Sequence, residues 1–350
     1  MKKVLFPILS LIIFATSAYS QSITFDPANA RDGETVEYCI THKKQAEQML
    51  NPKAIVIFAQ EEVIRQQEAL NPIVETKGTV YKIPIVFHVL HDGGVENISD
   101  EQILDALFIL NRDFRLQNAD AAAVHPDFIG LPADVEIEFV LATKAPNGVC
   151  FAGITRTQHV LANNGSNGDN QVDAIVAGND VYNGQWAGNK YCNVFICGDI
   201  GGAAGYTNYP SAWSGTGMTN GIWVLHNYVG SIGTSSNGTS RTLTHETGHW
   251  LNLPHVWGSN NNPGDIASCG TDDGVTDTPN EIGVTSCNVN EMSCGPRANV
   301  ENYMDYSYCS KMFTPGQVTR MRNALNSGTG GRSNLKTAAN LLATGADGNL

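Results

Sequence analysis

The chain has 350 residues, enough for one sizeable domain with an appendage or for two domains, and only 16% of them are Asp, Glu, Lys or Arg. A formal net charge of -13 works against a polyanionic partner, whether nucleic acid or an anionic membrane surface. Beyond the N-terminus no stretch is long and apolar enough to span a bilayer, so the mature protein is expected to have no membrane partner.

Met1-Lys2-Lys3 precedes an apolar run from Val4 to Ala15 and small residues through Ser20, the pattern of a secretory signal peptide over 1–20. Pro7 and the shortness of the run argue against a membrane anchor. An exported chain with eight cysteines and no Cys-x-x-Cys pair is expected to carry disulfides rather than a zinc ribbon. Residues 21–52 read as polar and irregular, Pro52 to Ala69 as a helix, and Asn71 to Gly78 as a linker. From Thr79 the character changes. Val80 to Leu90 is β-rich, and Pro84 within it predicts an edge position or a bulge. Ser99 and Gln102 spell a capping box before a helix carrying Ile103, Leu104, Leu107, Phe108 and Leu110. Val135, Ile137, Phe139 and Leu141 alternate as a half-buried strand, and further strands are expected over 148–159, 191–198 and 221–228. Strands around one long helix, ahead of a second helix, describe an α+β domain.

That second helix, Arg241 to Asn252, carries His245-Glu246-Thr247-Gly248-His249, and His255 follows six positions later. Histidines four apart share a helix face, so both imidazoles can reach one zinc ion. A third histidine leaves the fourth coordination position open, the mark of a catalytic rather than a structural metal. Glu246 is the residue such sites use to take a proton from water. The helix must stop after His249 for the chain to return His255. That turn needs a residue tolerating positive φ, and Asn252 occupies it. A thermolysin-like arrangement would recruit a carboxylate from another helix, for which Glu281 is available, but His255 makes it unnecessary. The competing class is an exported binding module with structural zinc. Glu246 speaks against it, because a structural site gains nothing from a carboxylate beside open metal.

After this helix the chain is mostly loop, rich in Gly, Asp, Asn and Cys, until Thr314-Pro315-Gly316-Gln317 starts a last helix running through Leu325. Asp272 to Thr278 offers several hard oxygens in a turn, which suits calcium, with Asp273 and Thr278 as side-chain ligands. Cys269, Cys287, Cys294 and Cys309 fall in this region, where cross-links are the plausible source of order, and three pairings are open to them. Cys150, Cys192 and Cys197 fall on expected strands, with their pairing open.

His245 to His255 resembles the extended zinc signature of the metzincins. Glu301-Asn302-Tyr303-Met304-Asp305-Tyr306 is similar to their methionine-bearing turn in the form used by the pappalysin family. Asp277-Thr278-Pro279 and Phe313 to Gln317 resemble its bacterial members, and the likeness covers Thr79 to Gly345. The resemblance implies a metzincin-like catalytic domain over 79–345, followed by a tail at 346–350: a twisted mixed sheet with the active-site helix, plus a loop-rich, disulfide-stapled C-terminal subdomain. It implies a secreted zinc endopeptidase acting on proteins or peptides. Its zinc ligands would be His245, His249 and His255, its general base Glu246, its apolar floor Met304, and its oxyanion contact Tyr306. It also implies Cys269–Cys294 and Cys287–Cys309 bonds and calcium near Asp273 and Thr278. Finally, it implies a propeptide at 21–78 whose Cys39 caps the zinc as thiolate, so that the protein is made as a zymogen. Two departures stand out. Glu37-Tyr38-Cys39 lacks the basic neighbour usual beside that cysteine, and Tyr306-Ser307-Tyr308-Cys309 lacks an acid that attracts basic substrates, so no preference for Arg or Lys is carried over.

Overall fold

The computed structural model describes residues 25–70, 78–210 and 215–348. The expected signal peptide and most of the 71–78 linker lie outside the described residues. The sheet is organised around one long strand, β2 (Tyr81–His91), which is paired on both sides. One flank carries β3 (Ile137–Leu141) along its first half and β4 (Ile154–Gln158) along its second; the other carries β5 (Cys192–Cys197). Beyond β5 come β7 (Ile222–Leu225), then β6 (Ala203–Thr207), then a short β1 (Glu37–Cys39). Every pairing is parallel except β6 with β7.

Pro84 therefore sits in a central strand, not at an edge. Tyr81 donates its N–H to Glu136 on the β3 side. By strand alternation the N–H that Pro84 lacks would face β5, where pairing begins only at Ile85, so no ladder bond is lost. The segment 21–52 is also more regular than its polarity suggested. It contains β1 and a helix, α1 (Thr41–Gln48), before α2 (Pro52–Leu70).

The expected long helix is α3 (Asp100–Phe114). Ser99 Oγ accepts from Gln102 N–H, but the reciprocal half of the capping box is absent. The Gln102 amide instead donates to His226 O and Val229 O across the fold, a tertiary override of a local motif. The expected strands are shorter than their segments. In 148–159 only Ile154–Gln158 is strand, and Cys150 makes an isolated bridge with Lys144. Two helices had no clear signature: α4 (Gly168–Gly178) and α7 (Ala338–Thr344).

Strand alternation separates the two layers of helix. Gly205 of β6 faces the histidine-bearing helix α5 (Thr242–Trp250), where a Cβ on it would meet the Glu246 carboxyl. Tyr206, the next residue, points to the opposite face. There it stacks on Trp223 at 4.8 Å between centroids and closes over Gly168 at the start of α4. After α5 the residues up to Thr314 hold only one short 3-10 turn, and the helix α6 (Pro315–Asn326) closes this lower half. Its start carries the complete Thr314/Gln317 capping box with Pro315 in the first turn, as the sequence predicts. Cys269–Cys294 and Cys287–Cys309 bonds staple the region, with Cα separations of 5.2 and 5.7 Å. Cys192 and Cys197 are buried free thiols, and Cys150 is free and exposed.

Candidate metal centre and active site

The whole of α5 is buried, so its polar residues need internal partners. His245 and His249 lie one turn apart on it, and the chain then reverses. Asn252 takes φ 76°, with Asn252 N–H bonded to His249 O at 2.8 Å and Leu253 N–H to Gly248 O at 2.9 Å. This is a left-handed helix stop with asparagine where glycine is usual. It returns His255 to the other two rings: His249 Nε2 is 3.1 Å from His245 Nε2 and 3.2 Å from His255 Nε2.

The opposite nitrogens are all engaged by backbone carbonyls. His245 Nδ1 lies 2.7 Å from Tyr303 O, His249 Nδ1 2.6 Å from Leu253 O, and His255 Nδ1 2.9 Å from Asn260 O. A carbonyl only accepts, so each Nδ1 carries the proton and each Nε2 presents a lone pair to the common point. Burial pulls His245 down to about 3, and His249 and His255 well below the usual imidazole range, so all three rings are neutral. Three lone pairs crowded together without protons are mutually repulsive unless a cation lies between them. Nitrogens on a tetrahedral zinc at about 2.05 Å stand roughly 3.3 Å apart, which the observed spacing matches. The donor set fits zinc.

Residue Glu246 is fully buried, and burial pushes its carboxyl up to about 8. Its Oε2 accepts from Thr41 Oγ1 at 3.1 Å and lies 3.6 Å from Cys39 Sγ, while Oε1 has no hydrogen-bond partner. Cys39 lies with the three histidines in one group whose ligand atoms are all within 4.8 Å of one another. It is delivered by β1, whose Cys39 is paired with Gly205. Burial, and then the nearby Glu246, push the thiol up. A divalent cation at the Nε2 cluster would reverse that order and favour thiolate.

Beneath the rings lies the turn Tyr303–Tyr306. Met304 is fully buried, and a Cβ on Gly248 would strike its Sδ, so the glycine admits the thioether against α5. Tyr306 stands edge-on to His255 at 4.8 Å between centroids. Its hydroxyl lies 2.9 Å from Cys39 O and 2.8 Å from Asn261 Oδ1. Glu281, the alternative third ligand, is not in this group. It is buried below the turn, with Oε2 accepting Asn299 N–H at 2.7 Å.

Several participants were not visible in the sequence. Thr41 Oγ1, besides donating to Glu246, accepts Thr207 N–H at 3.0 Å. The His42 ring packs 4.6 Å from His255, and the Tyr209 hydroxyl lies between His42 Nε2 at 3.1 Å and His249 Nδ1 at 3.0 Å. Arg31 lies 4.0 Å above the Tyr38 ring and donates to Gly238 O. A Cys-x-x-His spacing at 39–42 was the available signal. In the calcium candidate, Asp273 Oδ1 accepts from Val275 N–H at 3.0 Å and Thr278 Oγ1 at 2.8 Å. Asp273 Oδ2 is buried with no hydrogen-bond partner, and burial raises the carboxyl to about 7. A buried carboxylate oxygen facing no donor fits a hard cation.

A helix-borne pair of imidazoles, completed by a third from a tight return and backed by a mixed sheet, defines a metal-dependent peptidase of the metzincin type. The family model Peptidase_M43, described as pregnancy-associated plasma protein-A, matches residues 176–326. Mature mirolysin of Tannerella forsythia, solved with a cleaved peptide, is 34% identical; the match covers 77% of this chain and 99% of that one, at a TM-score of 0.66. A promirolysin variant of the same organism is 29% identical, covering 87% of this chain and 98% of its own, at a TM-score of 0.68. An extracellular metalloprotease of Colletotrichum graminicola is 28% identical over 256 residues, which is 70% of this chain and 76% of that protein. The chain belongs to the pappalysin family of metzincins and is a zinc metalloendopeptidase.

Proposed function

We propose that the protein is exported under a signal peptide at 1–20 and held latent by the segment 21–78, with a catalytic domain over 79–345 and a short tail after it. In this reading it hydrolyses proteins or peptides through His245, His249, His255 and Glu246. The observation that carries it is the convergence of three Nε2 atoms whose Nδ1 atoms are each tied to a carbonyl. Extracellular naming of relatives and the peptide bound to mature mirolysin support export and a peptide substrate. Zinc, when bound, supplies Lewis acidity to water and to the scissile carbonyl.

The chain's own residues do the rest. Glu246 takes the proton of the attacking water and returns it to the leaving amine. Tyr306 turns its hydroxyl from Cys39 O to the substrate oxygen as charge builds there. Met304 keeps the floor apolar and closed to water. In the latent form Cys39 stands where the water belongs, and Thr41 ties up Glu246. Asp273 and Thr278 would hold calcium, fixing the loop that follows the third histidine.

The test compares wild type with Glu246→Ala on casein, with and without chelator, and measures bound zinc by atomic emission. Wild type should lose its activity to the chelator. Glu246→Ala should lose about 10²–10⁴-fold in kcat and still hold zinc. Activity that survives both treatments removes this mechanism.

A further inference from the structure

Tyr38 is 2% exposed, yet what buries it belongs largely to the catalytic domain. Its ring stands edge-on to His245 at 5.1 Å and to Tyr306 at 5.3 Å between centroids, and its phenol is directed toward the Thr242 side chain. Next to it is a polar cavity of about 280 Å³, lined from the catalytic domain by Ser240, Tyr308, Ser310, Arg112, Asp120 and Arg241 among others. If the latent segment leaves, as the proteolytic reading above requires, the volume of the phenol joins this cavity. The result is one deep pocket opening beside His245.

The chemistry of that pocket is specific. Its mouth is walled by two ring edges, which favours an aromatic side chain. Its charges are already matched. Arg241 pairs with Asp120 at 2.7 Å and with Asp113 at 3.2 Å, and Arg112 pairs with Asp113 at 2.9 Å. Two guanidiniums face two carboxylates, and Arg31 departs with the latent segment. A lysine or arginine entering would find Asp120 and Asp113 already paired, and an acidic side chain would find Arg241 and Arg112 already paired, so either would lose hydration with little compensation from the lining. The Thr242 and Ser240 hydroxyls already donate to Thr239 O and Asn237 O, and the lone pairs left on their oxygens can accept from a phenol O–H, a bond that an aliphatic side chain cannot make.

We propose that the enzyme selects tyrosine directly beside the scissile bond, its phenol entering the hole that Tyr38 fills between His245 and Tyr306. The full chain, produced with zinc and kept until it degrades casein, is incubated with a peptide library made from a denatured proteome, and both sides of every cut are read by mass spectrometry. Tyrosine should be enriched at least fivefold at one fixed side of the bond, above phenylalanine and above Arg or Lys. Enrichment of basic or acidic residues there, or no enrichment, overturns the proposal while leaving the proteolytic reading intact. A protein that never degrades casein overturns both. Ser240→Phe, which fills the cavity, should lower the ratio of kcat/KM for a Tyr peptide over its Ala counterpart about tenfold. An unchanged ratio overturns the assignment of the pocket.

Discussion

The two halves of the site are held by different physics. His245, Glu246 and His249 ride on α5, which is buried along its whole length against the sheet and α3. His255, Met304 and Tyr306 come from a region without helix or strand between α5 and α6 apart from a 3-10 turn. There, order rests on two disulfides, a left-handed asparagine and polar side chains aimed at backbone carbonyls. The upper half holds its helix in place mainly by burial, with His245 and His249 oriented by carbonyls beyond it; the lower half needs cross-links and buried polar networks to return a third ring to the same point. Chemistry that needs residues from both halves is therefore as stable as the weaker of them.

Four experiments would break or sharpen this contrast. Removing the Cys269–Cys294 bond by a double Ser substitution should cost about 3–4 kcal/mol by the loop-entropy relation for its 25-residue separation. Hydrogen exchange should then rise across 255–310 while α5 and β2 stay protected. Equal loosening of both halves would refute the division. Arg320 of α6 donates to Asn252 O at 2.5 Å and to Asp273 O at 2.7 Å, and so ties the histidine return to the calcium candidate. Arg320→Met should cost about 1.5–3 kcal/mol in a denaturant titration and speed zinc release to a chromogenic chelator.

A third experiment uses pH. Burial raises Asp305 to about 7 and Glu281 well above its usual range, with the neighbouring Asp305 charge adding to the Glu281 shift. The folded pair therefore keeps a proton that the unfolded chain has already lost. Its contribution to stability is full below about pH 4 and fades as pH rises toward 7, by at most about 1.4 kcal/mol per pH unit for one proton. The double variant Glu281→Gln/Asp305→Asn should flatten that slope; a slope unchanged in it would place the proton elsewhere. The smallest effect is expected at Asn252. Asn252→Gly should be neutral or slightly stabilising and Asn252→Ala destabilising by about 1 kcal/mol, read from thermal midpoints, because φ 76° is costly for a β-carbon without a polar partner.

Some features of both halves could be read from the sequence, because their signals are local. The His245/His249 spacing is a property of one helix, and the Thr314 box needs no neighbour. The Asn252 reversal could also be read locally, since the position must adopt one backbone conformation whatever surrounds it. Failures came where distant parts decide. β1 is three residues long and exists because the edge of β6 accepts it. Gln102 abandoned its capping role for carbonyls more than 120 positions away. Thr41, His42 and Tyr209 reach the candidate metal centre across separations of 40 to more than 200 residues, and apart from the Cys39/His42 spacing nothing in their immediate neighbours marks them. The Glu281–Asp305 pair, similarly, is two ordinary acids until the fold brings them together.

One feature of α5 constrains how this protein can change. Gly205 lets the strand approach Glu246 from above, and Gly248 lets Met304 approach from below. The helix that carries the chemistry is thus gripped at both surfaces where a single methyl group would not fit. Sideways or tilting adjustment of that helix has no room, so whatever breathing substrate entry and product exit require must be supplied by the surrounding loops. Evolution of new preferences in this scaffold should accordingly be written in the segments around 237–241 and 306–310, while the helix itself stays mutationally silent.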